Sequence, residues 1–244
     1  MPLPYLRELY ARWHDTFPTP LTDEQEEQFA RYAALLQVWN AKMNLTAITD
    51  EAGIVAKHFM DSLSVLTVLD GVAGPDYRVL DVGTGAGFPG IPLAIMRPHW
   101  QVTLLESTRK KVDFLVLVGN DLGLKNLLTL WSRAEDAAHL PKHRDHYDAV
   151  VARAVAELPI LAEYCLPFVR QQGHWVAQKS VKVDEEVAKA RNALGQLGGK
   201  LLTVKTVPVP GMEHETRSLV VVQKIKATPA LFPRKAGLPS KKPL

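Results

Sequence analysis

At 244 residues with 47% hydrophobic content, the chain is sized for one α/β domain with a modest extension, and it is too apolar to be disordered. A single cysteine rules out an intramolecular disulfide and a cysteine-based zinc site. The formal net charge is only +3 but unevenly spread: Glu215 is the last acid, and Arg217, Lys224, Lys226, Arg234, Lys235, Lys241 and Lys242 follow it. Those cations read either as a solvated tail or as an arm that contacts phosphate and gains affinity from counterion release.

Residues 1–20 carry four prolines and allow a short helix at most. They have no apolar leader, and no later stretch reaches the roughly 18 consecutive apolar residues of a membrane span, so a cytoplasmic protein is expected. Thr22 and Gln25 have the spacing of a capping box, and Phe29, Tyr32, Ala33, Leu36 and Trp39 then recur at helical intervals. A second helix is predicted over Glu51–Leu69. On it His58, Asp61 and Ser62 stand at i, i+3 and i+4, one polar face that would tie the helix to its surroundings. Three parallel side chains on one turn do not make a nucleophile–base relay.

After a turn-rich boundary at Gly71–Asp76, short β-branched runs alternate with helices. Strands are predicted at Arg78–Val82, Gln101–Leu105, Leu127–Trp131, Tyr147–Ala152, His174–Gln178, Leu201–Val207 and Leu219–Gln223. Helices fall at Pro89–Met96, Arg109–Leu122, Glu157–Val169 and Val183–Leu197. Apolar strands alternating with helices imply a parallel sheet covered on both faces. The last two strands are too close for a crossover helix and should pair antiparallel. The expected organisation is an N-terminal helical extension (1–70), a seven-stranded, mostly parallel α/β core of Rossmann-like type (71–226) and a basic, proline-rich tail (227–244).

The most informative segment is Asp81-Val82-Gly83-Thr84-Gly85-Ala86-Gly87-Phe88-Pro89-Gly90, where a strand runs into a glycine-rich turn before a helix. Glycines let such a turn bend sharply and lie against a ligand at the carboxyl ends of the strands. Gly85, Gly87 and Gly90 match the dinucleotide pattern G-x-G-x-x-G, which by itself is weak support for an NAD-dependent oxidoreductase. The register of Asp81, Gly83, Gly85 and Gly87 instead fits the acidic-x-G-x-G-x-G loop of S-adenosylmethionine enzymes. Glu106 closes the second strand, placed to accept from ribose hydroxyls, and Ala134-Glu135-Asp136 follows the third, placed to meet an adenine edge.

With those residues, the chain resembles the bacterial 16S ribosomal RNA guanine-N7 methyltransferase family, also called glucose-inhibited division protein B. The segments that carry the resemblance are Trp39-Asn40, Asn44-Leu45-Thr46, His58-Phe59-Met60-Asp61-Ser62, the loop from Asp81 to Pro92, Glu106-Ser107-Thr108-Arg109-Lys110-Lys111, Arg133-Ala134-Glu135, Ala152-Arg153-Ala154 and Phe232 to Pro239. The resemblance implies a class I methyltransferase fold with S-adenosylmethionine as cofactor. It implies cofactor contacts at Gly83, Phe88, Glu106, Ser107, Thr108, Ala134, Glu135 and Arg153, with the loop residues Asp81, Gly85 and Gly87 added from the glycine motif. The implied partner is 16S ribosomal RNA in the small ribosomal subunit. No metal and no membrane are expected, and the chain should act as a monomer. One departure stands out: Ser180 follows Lys179 where many members have glycine.

Guanine N7 offers a free lone pair, so its methylation needs alignment rather than a base. Cys165 lies mid-helix and reads as core, against a cysteine-nucleophile mechanism. Arg153 and Lys179 are the candidate catalytic pair. Arg153, at a strand end, could pair with Glu106 or Glu135, touch the cofactor or read guanine O6 or a phosphate. Lys179 could touch substrate or simply be solvated. Arg109, Lys110 and Lys111 open a helix against its dipole and are candidates for phosphate contact. A methyltransferase acting on a small molecule or protein, and a non-catalytic RNA-binding assembly factor, remain the competing readings.

Overall fold

The capping box forms as the sequence predicts. Thr22 Oγ1 accepts from Gln25 N at 3.2 Å, and Gln25 Oε1 accepts from Thr22 N at 3.0 Å. The computed structural model describes residues 3–180 and 183–244. Its elements begin with α1 (Pro4–Ala11) and α2 (Asp23–Met43). A continuous helical stretch follows, made of α3 (Glu51–Gly53), a π-helical segment (Ile54–Met60), α4 (Asp61–Leu63) and α5 (Leu66–Leu69). The core then runs β1 (Arg78–Val82), α6 (Gly90–Met96), β2 (Gln101–Glu106), α7 (Arg109–Asp121), β3 (Leu127–Trp131), α8 (Ala134–Ala137) and β4 (Tyr147–Arg153). It continues with α9 (Leu158–Cys165), a 3-10 turn (Leu166–Phe168), β5 (Val169–Lys179), α10 (Val183–Leu197), β6 (Gly199–Val207), β7 (Arg217–Lys224) and α11 (Leu238–Lys241).

The seven strands form one sheet in the order β3-β2-β1-β4-β5-β7-β6. The first five pair in parallel, and β7 runs antiparallel between β5 and β6, as the short connection required. Successive strand residues serve opposite faces. Val79, Val102 and Leu104 join a core with the N-terminal helices, α6 and α7, whereas Leu80, Val82 and Leu105 join a core with α9 and α10. The sheet order reverses between β1 and β4, so both strands open their carboxyl ends onto one crevice, the usual ligand position in such sheets.

Three local expectations change. The Glu51–Leu69 stretch is not uniformly α-helical, since Ile54–Met60 is π-wound, which alters how His58 and Asp61 project. The same stretch contains an 18-residue window of mean hydropathy 1.3, long and apolar enough to span a membrane, but 72% of it is buried in the protein, so it is a core helix. The basic segment after Glu215 is neither a solvated tail nor a free arm. Arg217 and Lys224 lie in β7, where Lys224 is fully buried on Asp145 Oδ1 at 3.0 Å. From residue 227 the chain docks against α9. Phe232 is buried, and Arg234 holds the fully buried Glu163 through Nε and Nη2 at 2.9 and 2.6 Å. Lys226, Lys235, Lys241 and Lys242 are the exposed remainder.

Glu163 is charged and buried, so its stability depends on Arg234 and on the Arg234 amide, which donates at 2.7 Å. Arg234→Ala should destabilise the protein by about 3–5 kcal/mol in urea denaturation, because it strands a buried carboxylate. An unchanged midpoint would show that the segment is not docked through this pair.

Candidate active site

The glycine turn after β1 is shaped by neighbours. Gly83, Gly85 and Gly87 have φ of +68°, +62° and +106°, a region that disfavours other residues. A Cβ on Gly87 would lie 2.4 Å from Ile91 Cδ1 and 2.7 Å from Tyr32 Oη. Asp81 is fully buried beneath the turn, where its Oδ2 accepts from Thr84 Oγ1 at 2.6 Å and Gly90 N at 2.8 Å. Burial pushes its carboxyl up to about 6, against the pull of those bonds. Asp81 therefore braces the loop from beneath, a role that the sequence expectation of a cofactor-binding residue did not include. From α2, Tyr32 Oη donates to Ala86 O at 2.6 Å and clamps the turn from the other side. The sequence reading took Tyr32 only as part of an apolar face, and nothing in its spacing marked the hydroxyl.

Glu106, at the end of β2, accepts from Gly85 N at 3.2 Å and Thr108 N at 2.8 Å, so it links the turn to the start of α7. Beside it lies a cavity of about 150 Å³ lined by Val82, Gly83, Leu105, Ser107, Ala134 and Glu135, among others. Apolar walls with carboxylates at the strand ends match a nucleoside. The structure thus brings Gly83, Ser107, Ala134 and Glu135 to one cavity, with Glu106, Gly85 and Thr108 joined by hydrogen bonds beside it. Glu135 also accepts from Gly237 N at 3.0 Å, so the docked C-terminal segment reaches the cavity's edge. Arg109 pairs with Asp113 at 2.9 Å and lies 4.9 Å from the Trp131 ring centroid, and both it and Lys110 are exposed at that helix start.

Phe88, in the same glycine turn, is the centre of a second assembly. The His58 ring stacks on it at 4.5 Å, Tyr32 at 5.2 Å, and the Arg153 guanidinium covers it at 5.1 Å. Arg153 pairs with neither Glu106 nor Glu135, as the sequence had allowed. Its Nη1 donates to Asp61 Oδ2 at 2.9 Å and Lys57 O at 3.0 Å. The other Asp61 oxygen takes Arg217 Nε at 3.1 Å, so one buried carboxylate holds two arginines from distant strands. Gln178, at the end of β5, donates to Asp61 O at 2.7 Å and fixes the helix backbone here. Ser62 Oγ donates to His58 O at 2.5 Å and takes no part in the network.

Lys179 is paired rather than solvated. Its ammonium meets Glu186 Oε2 at 2.7 Å and Ala156 O at 3.0 Å, and its side chain is only 14% exposed. Lys57, Asp61, Arg153, Lys179 and Arg217 line a cavity of about 350 Å³ beyond Phe88. Arg217 was counted with the basic tail because it follows Glu215, the last acid in the sequence. Its place here depends on β7 pairing with β5, which sets Ser218 opposite Lys179. Among the described residues, no group of three or more His, Cys, Asp or Glu could hold a metal ion.

His58 is buried beside a cation, and burial first and Arg153 second lower its pKa from 6.5 to about 4. The unfolded chain takes that proton near 6.5, whereas the folded protein resists it until about 4. Stability is therefore lost as the pH falls from 6.5 towards 4. A His58→Gln variant should lack this part of the acid sensitivity in urea denaturation across that range, and equal sensitivity in both proteins would exclude the buried neutral ring. Gly87→Ala should fold but bind nucleoside ligands more weakly by calorimetry, because the turn must shift off Ile91 and Tyr32.

The fold agrees with that of known proteins. Geranyl diphosphate C-methyltransferase from Streptomyces coelicolor, solved with S-adenosyl-L-homocysteine, shares the fold with a TM-score of 0.53 at 15% identity, over 85% of this chain and all of that one (100%). Two proteins named ribosomal RNA small subunit methyltransferase G, from Desulforamulus reducens and Roseiflexus sp. (strain RS-1), are 46% and 48% identical. Each alignment covers 92% of this chain, and 92% and 94% of the respective relatives. The family model described as rRNA small subunit methyltransferase G matches residues 25–218, a span that holds the glycine turn, the Asp61–Arg153 pair and Arg217. On this match and these identities, the chain belongs to the rRNA small subunit methyltransferase G family.

Proposed function

We propose that this protein transfers a methyl group from S-adenosylmethionine to N7 of a guanine in 16S ribosomal RNA, acting as a monomer on the small ribosomal subunit in the cytoplasm. Family membership supports the cofactor and the RNA class, and the guanine N7 target follows the resemblance in the motifs. The observation that carries the reading is that the cavity beside the glycine turn and the arginine-lined cavity are walled by adjacent residues at the end of β4 and just after it, Val155 in the first and Arg153 and Ala154 in the second.

The residues present fit the cofactor. The positive-φ glycines leave the turn free of Cβ atoms on its ligand side, Glu106 stands where ribose hydroxyls would be met, and Val82 and Leu105 wall the adenine position. Gly83, Gly85, Gly87, Phe88, Glu106, Ser107, Thr108, Ala134, Glu135 and Arg153 would hold it, with Asp81 supporting from below. When bound, the cofactor supplies an electrophilic methyl group.

The chain's own residues then have one main task, alignment. Guanine N7 carries its lone pair at neutral pH and needs no deprotonation. His58 is held neutral, and Asp61 is committed to two arginines, so neither is required as a base. Arg153 keeps a fixed orientation over Phe88 and can present its fork to guanine O6, which neighbours N7. Lys179 acts by position, joining the end of β5 to α10 and to the turn after β4.

The direct test incubates the protein with labelled S-adenosylmethionine and small subunits from cells that lack this enzyme, followed by nucleoside analysis. Labelled 7-methylguanosine is expected, and labelled cofactor binding with no labelled RNA overturns the acceptor assignment. Arg153→Ala should lose most of that activity while keeping a wild-type circular dichroism spectrum. Wild-type turnover by that variant excludes the role of Arg153.

A further inference from the structure

The cavity beyond Phe88 is ringed by four cations, Lys57, Arg153, Lys179 and Arg217. Its two acids are already committed to internal pairs, Asp61 with both arginines and Glu186 with Lys179. Lys57 is different. It is 45% exposed, and its ion-pair partner is Glu215, at 2.8 Å, in the loop between β6 and β7. The other oxygen of Glu215 reaches Arg217 Nη2 at 2.9 Å. One carboxylate, itself 39% exposed, thus bridges a lysine from the π-helical segment and an arginine from β7.

A phosphodiester presents the same pattern, two anionic oxygens that can each meet a different cation. The carboxylate is poised to leave. Ion pairs this exposed are weak. The loop itself is held elsewhere, because Glu213 accepts from Gly211 N at 3.0 Å and pairs with Arg12, and Glu215 N donates to Met212 O at 2.9 Å. The Glu215 side chain can therefore swing out while the backbone stays. With it gone, the rim beside Arg153 carries a net positive charge.

We propose that Lys57 and Arg217 form a phosphate site for the RNA backbone next to the acceptor base, and that Glu215 fills this site as an internal placeholder which the RNA displaces. The inference rests on the reading that the acceptor is RNA. It adds a site and a gate to that reading.

The test compares wild type, Glu215→Gln, Lys57→Gln, the double variant and Glu213→Gln, the last as a control with the same change of charge two residues away. Each is titrated with unmodified small subunits over a range of salt concentrations, and cofactor affinity is measured alongside. Removing the placeholder should tighten subunit binding about three- to tenfold at low salt, the range expected for freeing two exposed pairs. Lys57→Gln should weaken binding and flatten the salt slope by about 0.7–0.9, one phosphate contact. In the Lys57→Gln background the gain from Glu215→Gln should shrink, and Glu213→Gln should give none. Cofactor affinity should be the same throughout.

Equal gains in both backgrounds, or an equal gain from Glu213→Gln, reduce the effect to general charge and overturn the proposal. An active wild type whose Glu215→Gln variant binds no tighter overturns the proposal alone. A wild type that methylates no ribosomal RNA overturns the proposal and the function it rests on.

Discussion

A turn made largely of glycine has few side chains with which to hold itself, yet a ligand site needs its backbone amides fixed in place. The rest of the site follows from that constraint. Asp81 braces the turn from beneath, Tyr32 clamps it from α2 and Glu106 ties it to β2. Two of these three groups are carboxylates accepting backbone N–H donors, which makes the bonds stronger than neutral ones. The buried Asp81 is costly to ionise, and burial raises its pKa for that reason.

The N-terminal helices belong physically to the same assembly. Their apolar residues share one continuous core with β1, β2, α6 and α7. They also contribute Tyr32, His58 and Asp61, without which Phe88 and Arg153 would have no fixed orientation. The π-wound segment matters here. It presents the His58 ring to Phe88 and is followed at once by Asp61, which faces the ends of β4 and β7. Irregular helical winding at a point where several elements converge is common at functional sites.

Much of the fold was legible because its signals are local. The capping box at Thr22, the glycine turn, the antiparallel final pair and the strand runs appear where periodicity and loop length put them, except that β5 starts at Val169, where a helix end was expected, rather than at His174. Glu106 and Ser107 could be placed for the same reason, since they close the apolar run of β2, and Ala134 and Glu135 because they follow the run of β3 within four residues. Lys179 and Arg217 could not be read in this way. Both are basic residues beside other polar residues, and whether such a side chain is solvated or paired depends on what packs against it. The C-terminal segment misled for a related reason: its composition is that of a tail, but Phe232 and Arg234 find a pocket and a buried acid on α9.

The sequence by itself determined the order of the elements, the glycine turn and the acids that close the strands, because these follow from periodicity and from residues adjacent in the chain. Only the tertiary structure decided which acid meets which base. Arg153 had Glu106 and Glu135 as candidates and took Asp61, and Asp61 shares itself with Arg217. Such partnerships join segments far apart in the chain, so they are set by strand order and helix docking, where a few ångströms decide whether a charge is paired, buried or free.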